Sequence, residues 1–159
     1  MFGPRVQGLA RAEFEEHAHK LLKLVGLDAF ADALPIQLSG GMRQRVGIAR
    51  VLVMSPRALL MDEPFGALDA ITRVAMQRFL LDLWQREKIT IVFVTHDVEE
   101  AALLGDRVCV MSGSPGRTRA LIDVPLPRPR SVADTETLEF VQLKRQIREA
   151  LESEPANEH

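Results

Sequence analysis

The stretch LSGGMRQRVGIARVLVMSPRALLMDEP, residues 38–64, holds the pattern that decides the fold. Ser39 is a good helix N-cap, and the residues after it predict a helix to about Met54, with an apolar face of Val46, Ala49 and Val53. Ser55-Pro56 then ends this helix, because proline has no amide hydrogen to donate. The apolar run Ala58–Met61 predicts a strand that is buried on both faces, and two acidic residues follow it.

Helices and strands alternate through the rest of the chain. Apolar spacing predicts helices over residues 11–25, 28–34 (ended by Pro35), 71–87, 97–104 and 135–152, the last with apolar positions Leu138, Val141, Leu143 and Ile147. Strands are predicted over Ile89–Val94, which is apolar enough to be buried, and over 106–112 and 119–124, which a hairpin-like turn joins. Alternating strands and helices indicate an α/β fold with a largely parallel sheet.

The predicted elements divide the chain into four parts. Residues 1–55 are all helical and form a helical subdomain, and residues 56–130 form a partial α/β core. Residues 131–152 form a C-terminal helix, which follows an extended proline-rich link. The polar residues 153–159 are expected to be a disordered tail.

The composition excludes several classes of protein. A net charge of −2 argues against a nucleic-acid binder, which would carry a clustered basic surface. No apolar run approaches the roughly 18 residues that span a bilayer, and the N-terminus lacks the apolar core of a signal peptide. The sole cysteine, Cys109, lies in a predicted strand and is expected to be a small buried hydrophobe. We therefore expect a soluble, cytoplasmic protein that is able to dock on a membrane protein.

Two adjacent acids, Asp62 and Glu63, follow the predicted strand Ala58–Met61. In open parallel sheets, ligands bind beyond the carboxyl ends of the strands. One of these carboxylates can hold Mg²⁺ through water, and the other can orient or deprotonate an attacking water. The alternative is an ordinary solvated strand end.

Two further features are suited to bind a phosphate group. Ser39, Gly40 and Gly41 begin a helix, and the N-terminus of a helix offers free amides and partial positive charge to a phosphate. His96 follows the strand Ile89–Val94 and is therefore expected at a carboxyl strand end beside the acid pair, where an imidazole can donate to a phosphate. The alternative for Ser39–Gly41 is an ordinary capped helix without a ligand, and the alternative for His96 is a histidine that only packs against its neighbours.

The order of these features resembles the nucleotide-binding domain of an ABC transporter. The matching motifs are the signature (Leu38–Met42), Walker B (Leu59–Glu63), the D-loop (Ala67–Asp69) and the H-loop (His96). The fifth signature residue is Met42, where the family often has glutamine. This substitution, together with the segments 97–101, 114–117 and 126–130, resembles the importer subfamily that serves nitrate, sulfonate and taurine uptake.

The resemblance implies a P-loop NTPase fold of the ABC ATPase type, ATP and Mg²⁺ as ligands, and a head-to-tail pair of ATPase subunits with ATP between them. The residues that it assigns to the nucleotide held by the facing subunit, or to signalling across the pair, are Ser39, Gly40, Gly41, Met42 and Asp69. It assigns Asp62 to the magnesium ion. Glu63 would polarise the attacking water, and His96 would contact the γ-phosphate.

The same resemblance implies partners and a location. The helical residues 3–54 would contact an integral membrane permease, and a periplasmic or surface solute-binding protein would deliver the solute. The protein would lie in the cytoplasm, peripheral on the inner face of the cell membrane. No nucleic acid is expected as a partner.

A P-loop is not found in residues 1–159. It requires Gly-x-x-x-x-Gly-Lys-[Ser/Thr], and none of the four lysines follows a glycine. By resemblance the chain is the C-terminal portion of an ATPase, inactive alone and, with open strand edges, prone to associate. One alternative is an inactive module that donates its signature to a complete ATPase or regulates a permease. Another is a DNA-repair or chromosome ATPase head, which the short helices of residues 3–37 and the acidic charge disfavour.

Overall fold

The computed structural model describes residues 11–152, with side chains from Glu15 onward. The chain forms two compact units, of which the first ends at Val92 and the second begins at Phe93. Each unit is described by itself below. The four-part division at residues 55, 130 and 152 stays a prediction, and the predicted tail 153–159 lies outside the described residues.

The first unit begins with helices. Helix α1 spans Arg11–Leu24 and helix α2 spans Gly40–Leu52. The predicted helix over 28–34 is reduced to a single 3₁₀ turn, Asp28–Phe30, and a second 3₁₀ turn, Pro35–Gln37, follows it. Proline begins the second turn because its fixed φ angle suits a first helical position, where its missing amide costs nothing.

Strand β1 (Ala58–Asp62), helix α3 (Ala70–Glu87) and strand β2 (Thr90–Val94) follow, and the two strands are neighbours in a parallel sheet. The predictions that β1 is buried on both faces and that β2 is a buried strand are wrong. Leu60 is 72% exposed and Val92 is 51% exposed. Successive strand residues point to opposite faces, and the described residues cover only one face of β1, that of Leu59 and Met61.

The core of the first unit lies between its helices and β1. Helix α2 packs against both α1 and α3. The buried apolar side chains of the first unit are Leu21, Val25, Leu27, Leu38, Ile48, Ala49, Leu52, Leu59, Met61, Phe65, Met76, Leu80, Leu81 and Leu83. Within residues 11–152, none of the helices combines the length and the apolar composition needed to cross a bilayer.

The second unit is built on a hairpin. Helix α4 spans Val98–Leu104, and the antiparallel strands β3 (Arg107–Met111) and β4 (Thr118–Asp123) confirm the predicted hairpin. A 3₁₀ turn over Val132–Glu136 precedes helix α5, Leu138–Glu152. Helix α5 contacts both α4 and the hairpin.

The apolar face of α5 differs from the predicted one. Leu138 is 67% exposed, whereas Phe140 is completely buried together with Leu143 and Ile147. These three residues are separated by three and four positions and so lie on one face of the helix. Val141 lies off this face and is exposed.

Cys109 is exposed, so the prediction that it is buried is wrong. Its neighbours Val108 and Val110 are buried, and strand alternation places Cys109 on the opposite, outer face of β3. Its sulfur lies 3.7 Å from the hydroxyl oxygen of Thr118 on β4.

Arg130 is a buried arginine that joins the proline-rich link to the end of α4. Its guanidinium donates to the carbonyls of Leu103 and Gly105 at the end of the helix, and to the Leu126 carbonyl at 2.8 Å. The side chain is 2% exposed and also contacts Asp106. Burial, and then the nearby charge of Arg128, lower the pKa of Arg130, and Asp106 opposes them. An arginine remains charged despite such a shift, so its donors stabilise the negative end of the helix.

Candidate functional site

The signature segment, Leu38–Met42, forms the start of α2. Ser39 is the N-cap, and its hydroxyl oxygen accepts a hydrogen bond from the Met42 amide at 3.2 Å. Ser39 and Gly40 are exposed. At the first positions of a helix the amides have no acceptor one turn earlier, so those of Gly40 and Gly41 are not used by the helix itself. The segment therefore forms the predicted capped helix start, and its contact with a phosphate stays a prediction.

Gly41 is buried and has a packing requirement of its own. A Cβ atom built on Gly41 would lie only 2.8 Å from the Thr72 methyl carbon in the first turn of α3. A Cβ atom on Gly40 would lie 3.6 Å from a Leu68 methyl carbon, which is an ordinary contact. The missing side chain of Gly41 thus lets the starts of α2 and α3 approach closely, independently of any ligand.

We expect Gly41→Ala to lower the free energy of unfolding of the first unit by about 1–3 kcal/mol, because the new methyl group overpacks the contact with Thr72. Urea unfolding followed by the fluorescence of Trp84, the sole tryptophan, measures this change in the unit that contains α3. Gly40→Ala is the matched control and should stay within about 0.5 kcal/mol of the parent chain. Equal stabilities of the two variants would contradict the close contact.

The acid pair lies where β1 ends. Asp62 is the last residue of the strand, Glu63 follows it, and both are exposed. Glu63 has a φ angle of +42°, in the left-handed region that residues other than glycine seldom adopt. The Gly66 amide donates to the Glu63 carbonyl at 3.2 Å and closes the turn. Strained backbone of this kind is concentrated at functional sites.

Asp69 is the N-cap of α3. Its carboxylate accepts hydrogen bonds from the Thr72 amide at 3.0 Å and from the Thr72 hydroxyl at 2.7 Å. The hydroxyl bond first, and then the amide bond, hold the pKa of Asp69 below its usual value. The cap is therefore present at neutral pH and is lost only as the pH falls below the usual aspartate value. Its signalling role across a subunit pair stays a prediction.

His96 lies in the second unit and is exposed. The chain on either side of it is held in place. The Thr95 hydroxyl donates to the Glu100 carboxylate at 2.7 Å and accepts from the Asp97 amide at 3.0 Å. Asp97 in turn caps α4 by accepting from the Glu99 amide at 2.8 Å. A buried carboxylate, that of Glu100, thus fixes the loop that presents His96.

An open concavity of about 410 Å³ lies beside His96 in the same unit. Its lining consists of His96, Asp97, Val98, Glu99, Lys144 and Arg148. The Lys144 ammonium and the Glu99 carboxylate are paired at 2.6 Å across it. The imidazole therefore has polar neighbours from α5 as well as from its own loop.

The exposed carboxylate of Asp62 is compatible with the usual way in which proteins bind Mg²⁺. No group of three or more histidine, cysteine or acidic side chains within residues 11–152 is arranged to bind a metal ion by itself. Mg²⁺ usually keeps several waters and takes one or two carboxylates together with substrate phosphates, so a single exposed Asp62 suits it. Asp62 and Glu63 belong to the first unit and His96 to the second. Their predicted proximity at one site stays a prediction.

Thr72 and Glu100 are the site-supporting residues that the motifs did not single out. Each has a sequence signal that a capping rule would detect. Thr72 lies three positions after Asp69, and Glu100 lies three positions after Asp97. Asp followed three residues later by Glu is typical of a helix start, whereas the signal for Thr72 is only the capping residue Asp69 before it.

The chain is similar to several known proteins. A family model described as ABC transporter matches residues 2–66. An ATP-binding protein of Brucella abortus (strain 2308) is 52% identical over 146 residues, which cover 92% of this chain and 56% of that protein. The taurine import ATP-binding protein TauB of Rhizobium johnstonii is 47% identical over 95% of this chain and 60% of that protein. The chain thus spans little more than half the length of these curated relatives.

A solved structure is similar as well. It is cbiO1 from Clostridium perfringens, which is described as part of the ABC transporter complex cbiONQ. It is 33% identical with a TM-score of 0.66, and the match covers 73% of this chain and 45% of that one. The similarity confirms the predicted α/β fold.

Proposed function

Because the chain belongs to the ABC transporter family of ATP-binding proteins, we propose that it forms the ATP-hydrolysing part of an importer for nitrate, sulfonate, taurine or a similar solute. The names of its relatives support this class of solute, since they include import proteins for taurine and for aliphatic sulfonates. An integral membrane permease, a second ATPase subunit and, indirectly, a solute-binding protein are the proposed partners. The proposed location is the cytoplasmic face of the membrane.

The single observation that carries the catalytic part of the proposal is the geometry of Glu63. It is exposed, follows the end of β1 directly and holds a φ angle of +42°. Such strain persists only where the surrounding structure maintains it, and the turn closed by Gly66 does so here. An exposed carboxylate at a strand end is suited to orient and deprotonate a water.

The other residues are proposed to bind and position the nucleotide. Asp62 would hold Mg²⁺, which supplies charge neutralisation on the phosphate oxygens when it is bound. His96 would donate to the γ-phosphate, and the signature segment would offer its amides to ATP held by the facing subunit. Because residues 1–159 contain no P-loop sequence, we propose that this polypeptide hydrolyses ATP only together with a segment that supplies one.

A chimera tests the proposal. A P-loop-bearing segment from another member of the family is fused ahead of Met1, and phosphate release is compared with that of residues 1–159 alone. We expect release from the chimera and none from the unfused polypeptide. Hydrolysis by the unfused polypeptide would refute the requirement for a P-loop. A folded chimera that binds ATP without hydrolysing it would refute the catalytic assignment.

The solute class has a separate test. The chimera is expressed in Rhizobium johnstonii cells that lack TauB, and taurine uptake is measured. Uptake that depends on the chimera supports a taurine-like solute. A chimera that hydrolyses ATP but restores no uptake would contradict this assignment while leaving the hydrolysis intact.

A further inference from the structure

The side chain of Thr72 lies between the D-loop and the signature segment, with its hydroxyl bonded to Asp69 and its methyl group beside Gly41. It lies in the first turn of α3, and its hydroxyl donates to the Asp69 carboxylate at 2.7 Å. Its methyl carbon faces Gly41 in the first turn of α2, where a Cβ atom would come within 2.8 Å of it. One half-buried side chain therefore lies between the D-loop (Ala67–Asp69) and the signature segment.

The two contacts are not independent. A threonine in a helix has few allowed χ1 rotamers, because two heavy atoms branch at its Cβ atom. The hydrogen bond to Asp69 selects one of them, and that rotamer fixes the direction of the methyl group. Since Gly41 has no side chain, the start of α2 can pack closer to this methyl group than a Cβ atom would permit. The hydrogen bond to Asp69 and the contact with Gly41 therefore depend on the same side-chain torsion.

Neighbouring contacts join the same two segments. Gly40, the other glycine of the signature segment, packs near Leu68 of the D-loop. The Arg73 guanidinium donates to the Leu68 carbonyl at 3.2 Å and anchors the D-loop to α3. Met76, one turn further along α3, also lies within 4.0 Å of the Cβ position of Gly41.

We propose that Thr72 is a positioning residue that holds the signature segment and the D-loop in one fixed arrangement. Its importance for ATP hydrolysis rests on the proposed function, in which the two segments contact the nucleotide and the facing subunit. The arrangement itself is a property of residues 1–159 and is measurable without nucleotide.

Two substitutions separate the branches of the side chain. Thr72→Val keeps the shape and loses the hydroxyl, whereas Thr72→Ser keeps the hydroxyl and loses the methyl group. The readout is amide exchange by NMR at Met42 and Arg43 of α2, whose amides bond to Ser39, and at Arg73 of α3, whose amide bonds to the Asp69 carbonyl. The amides of helix α5 serve as the internal control in both variants.

In Thr72→Val we expect exchange to become roughly three- to tenfold faster at both helix starts, the change expected when one hydrogen bond is lost. In Thr72→Ser it should become faster at Met42 and Arg43 alone, with Arg73 unchanged. A residue that merely capped α3 would leave Met42 and Arg43 unaffected in both variants, and that result would overturn the proposal. If Thr72→Val does not fold, the Thr72→Ser pattern alone decides.

Kinetics in the chimera separate this proposal from the proposed function. Thr72→Val should lower kcat by roughly three- to tenfold with little change in KM, and Thr72→Ser should lower it less. If amide exchange changes as expected at both helix starts but the chimera never hydrolyses ATP, the positioning role of Thr72 holds and the proposed function is refuted. If the chimera hydrolyses ATP but the Thr72 variants leave exchange at Met42 and Arg43 unaffected, the proposed function holds and the positioning role of Thr72 is refuted.

Discussion

Replacing Glu63 by glutamine lowers ATP hydrolysis by the chimera roughly 10²- to 10⁴-fold, which is the usual effect of removing a positioned acid–base group. Glutamine keeps the size and the hydrogen-bonding reach of glutamate but accepts no proton from water. The measurement is phosphate release at saturating ATP, with nucleotide binding followed separately. We expect binding to be retained, because Glu63 is assigned to the attacking water and not to holding the nucleotide.

The substitution Glu63→Gly separates the effect of losing the carboxylate on hydrolysis from the effect of the backbone conformation on stability. Glycine adopts a φ angle of +42° without steric cost, so the free energy of unfolding should stay within about 1 kcal/mol of the parent. Lys88→Gly is the matched control, since Lys88 has a φ angle of +50° where α3 ends. Both variants should have similar stabilities, and only Glu63→Gly should lose hydrolysis.

An unchanged rate in Glu63→Gln would remove this residue from the catalytic assignment. It would favour the alternative in which the chain donates its signature segment to a complete ATPase without hydrolysing ATP through its own acid pair. Association with a permease that is insensitive to Glu63→Gln would then be the expected observation. In the proposed assignment the capped start of α2 would serve either function, whereas the strained turn at Glu63 would serve only the first.

Replacing Arg130 by methionine lowers the free energy of unfolding of the second unit by about 2–4 kcal/mol. Methionine fills much of the same volume but leaves the carbonyls of Leu103, Gly105 and Leu126 without the charged donor that now binds them. Hydrogen bonds to charged groups contribute roughly 1.5–3 kcal/mol each, and several carbonyls recover part of this loss by binding water.

Arg128→Met is the matched control for Arg130→Met. Arg128 contacts Asp106 at 2.7 Å and the Leu104 carbonyl at 2.8 Å, but it is more exposed, so we expect a loss of about 1 kcal/mol. Urea unfolding is followed by far-UV circular dichroism, which reports both units, and by Trp84 fluorescence, which reports the first. Equal effects of the two substitutions would show that burial of Arg130 adds nothing.

Local patterns predicted the starts of α2, α3 and α4 and the hairpin, because the information for them lies within a few residues. The serine cap of α2 and the strand that ends in Asp62 are examples. The start of α5 was predicted at residue 135, but a 3₁₀ turn occupies that stretch and the helix begins at Leu138. The exposure of Leu60 and Cys109 could not be predicted in the same way. An apolar strand residue is buried or exposed according to what covers its face of the sheet, and that depends on distant parts of the chain.

Long-range contacts explain the remaining differences. The sequence patterns placed Arg130 in the extended link and in the subfamily segment 126–130 but did not predict its buried role, since its acceptors at Leu103 and Gly105 lie 27 and 25 residues away in the sequence. At the site, the motifs located the signature segment, the acid pair and His96 along the chain. They did not reveal Thr72, because its link to Gly41 exists only once α2 and α3 have packed together.

The outward-facing thiol of the β3–β4 hairpin has a practical consequence. Residues 1–159 contain one cysteine, and it is accessible, so a maleimide-linked fluorophore or spin label attaches at a single known position without prior mutagenesis. Its side chain lies outside the apolar core formed by Val108 and Val110, so the label need not disturb that packing. A probe at this position would report changes in the surroundings of the outer face of the hairpin, in solution and in the proposed assembly.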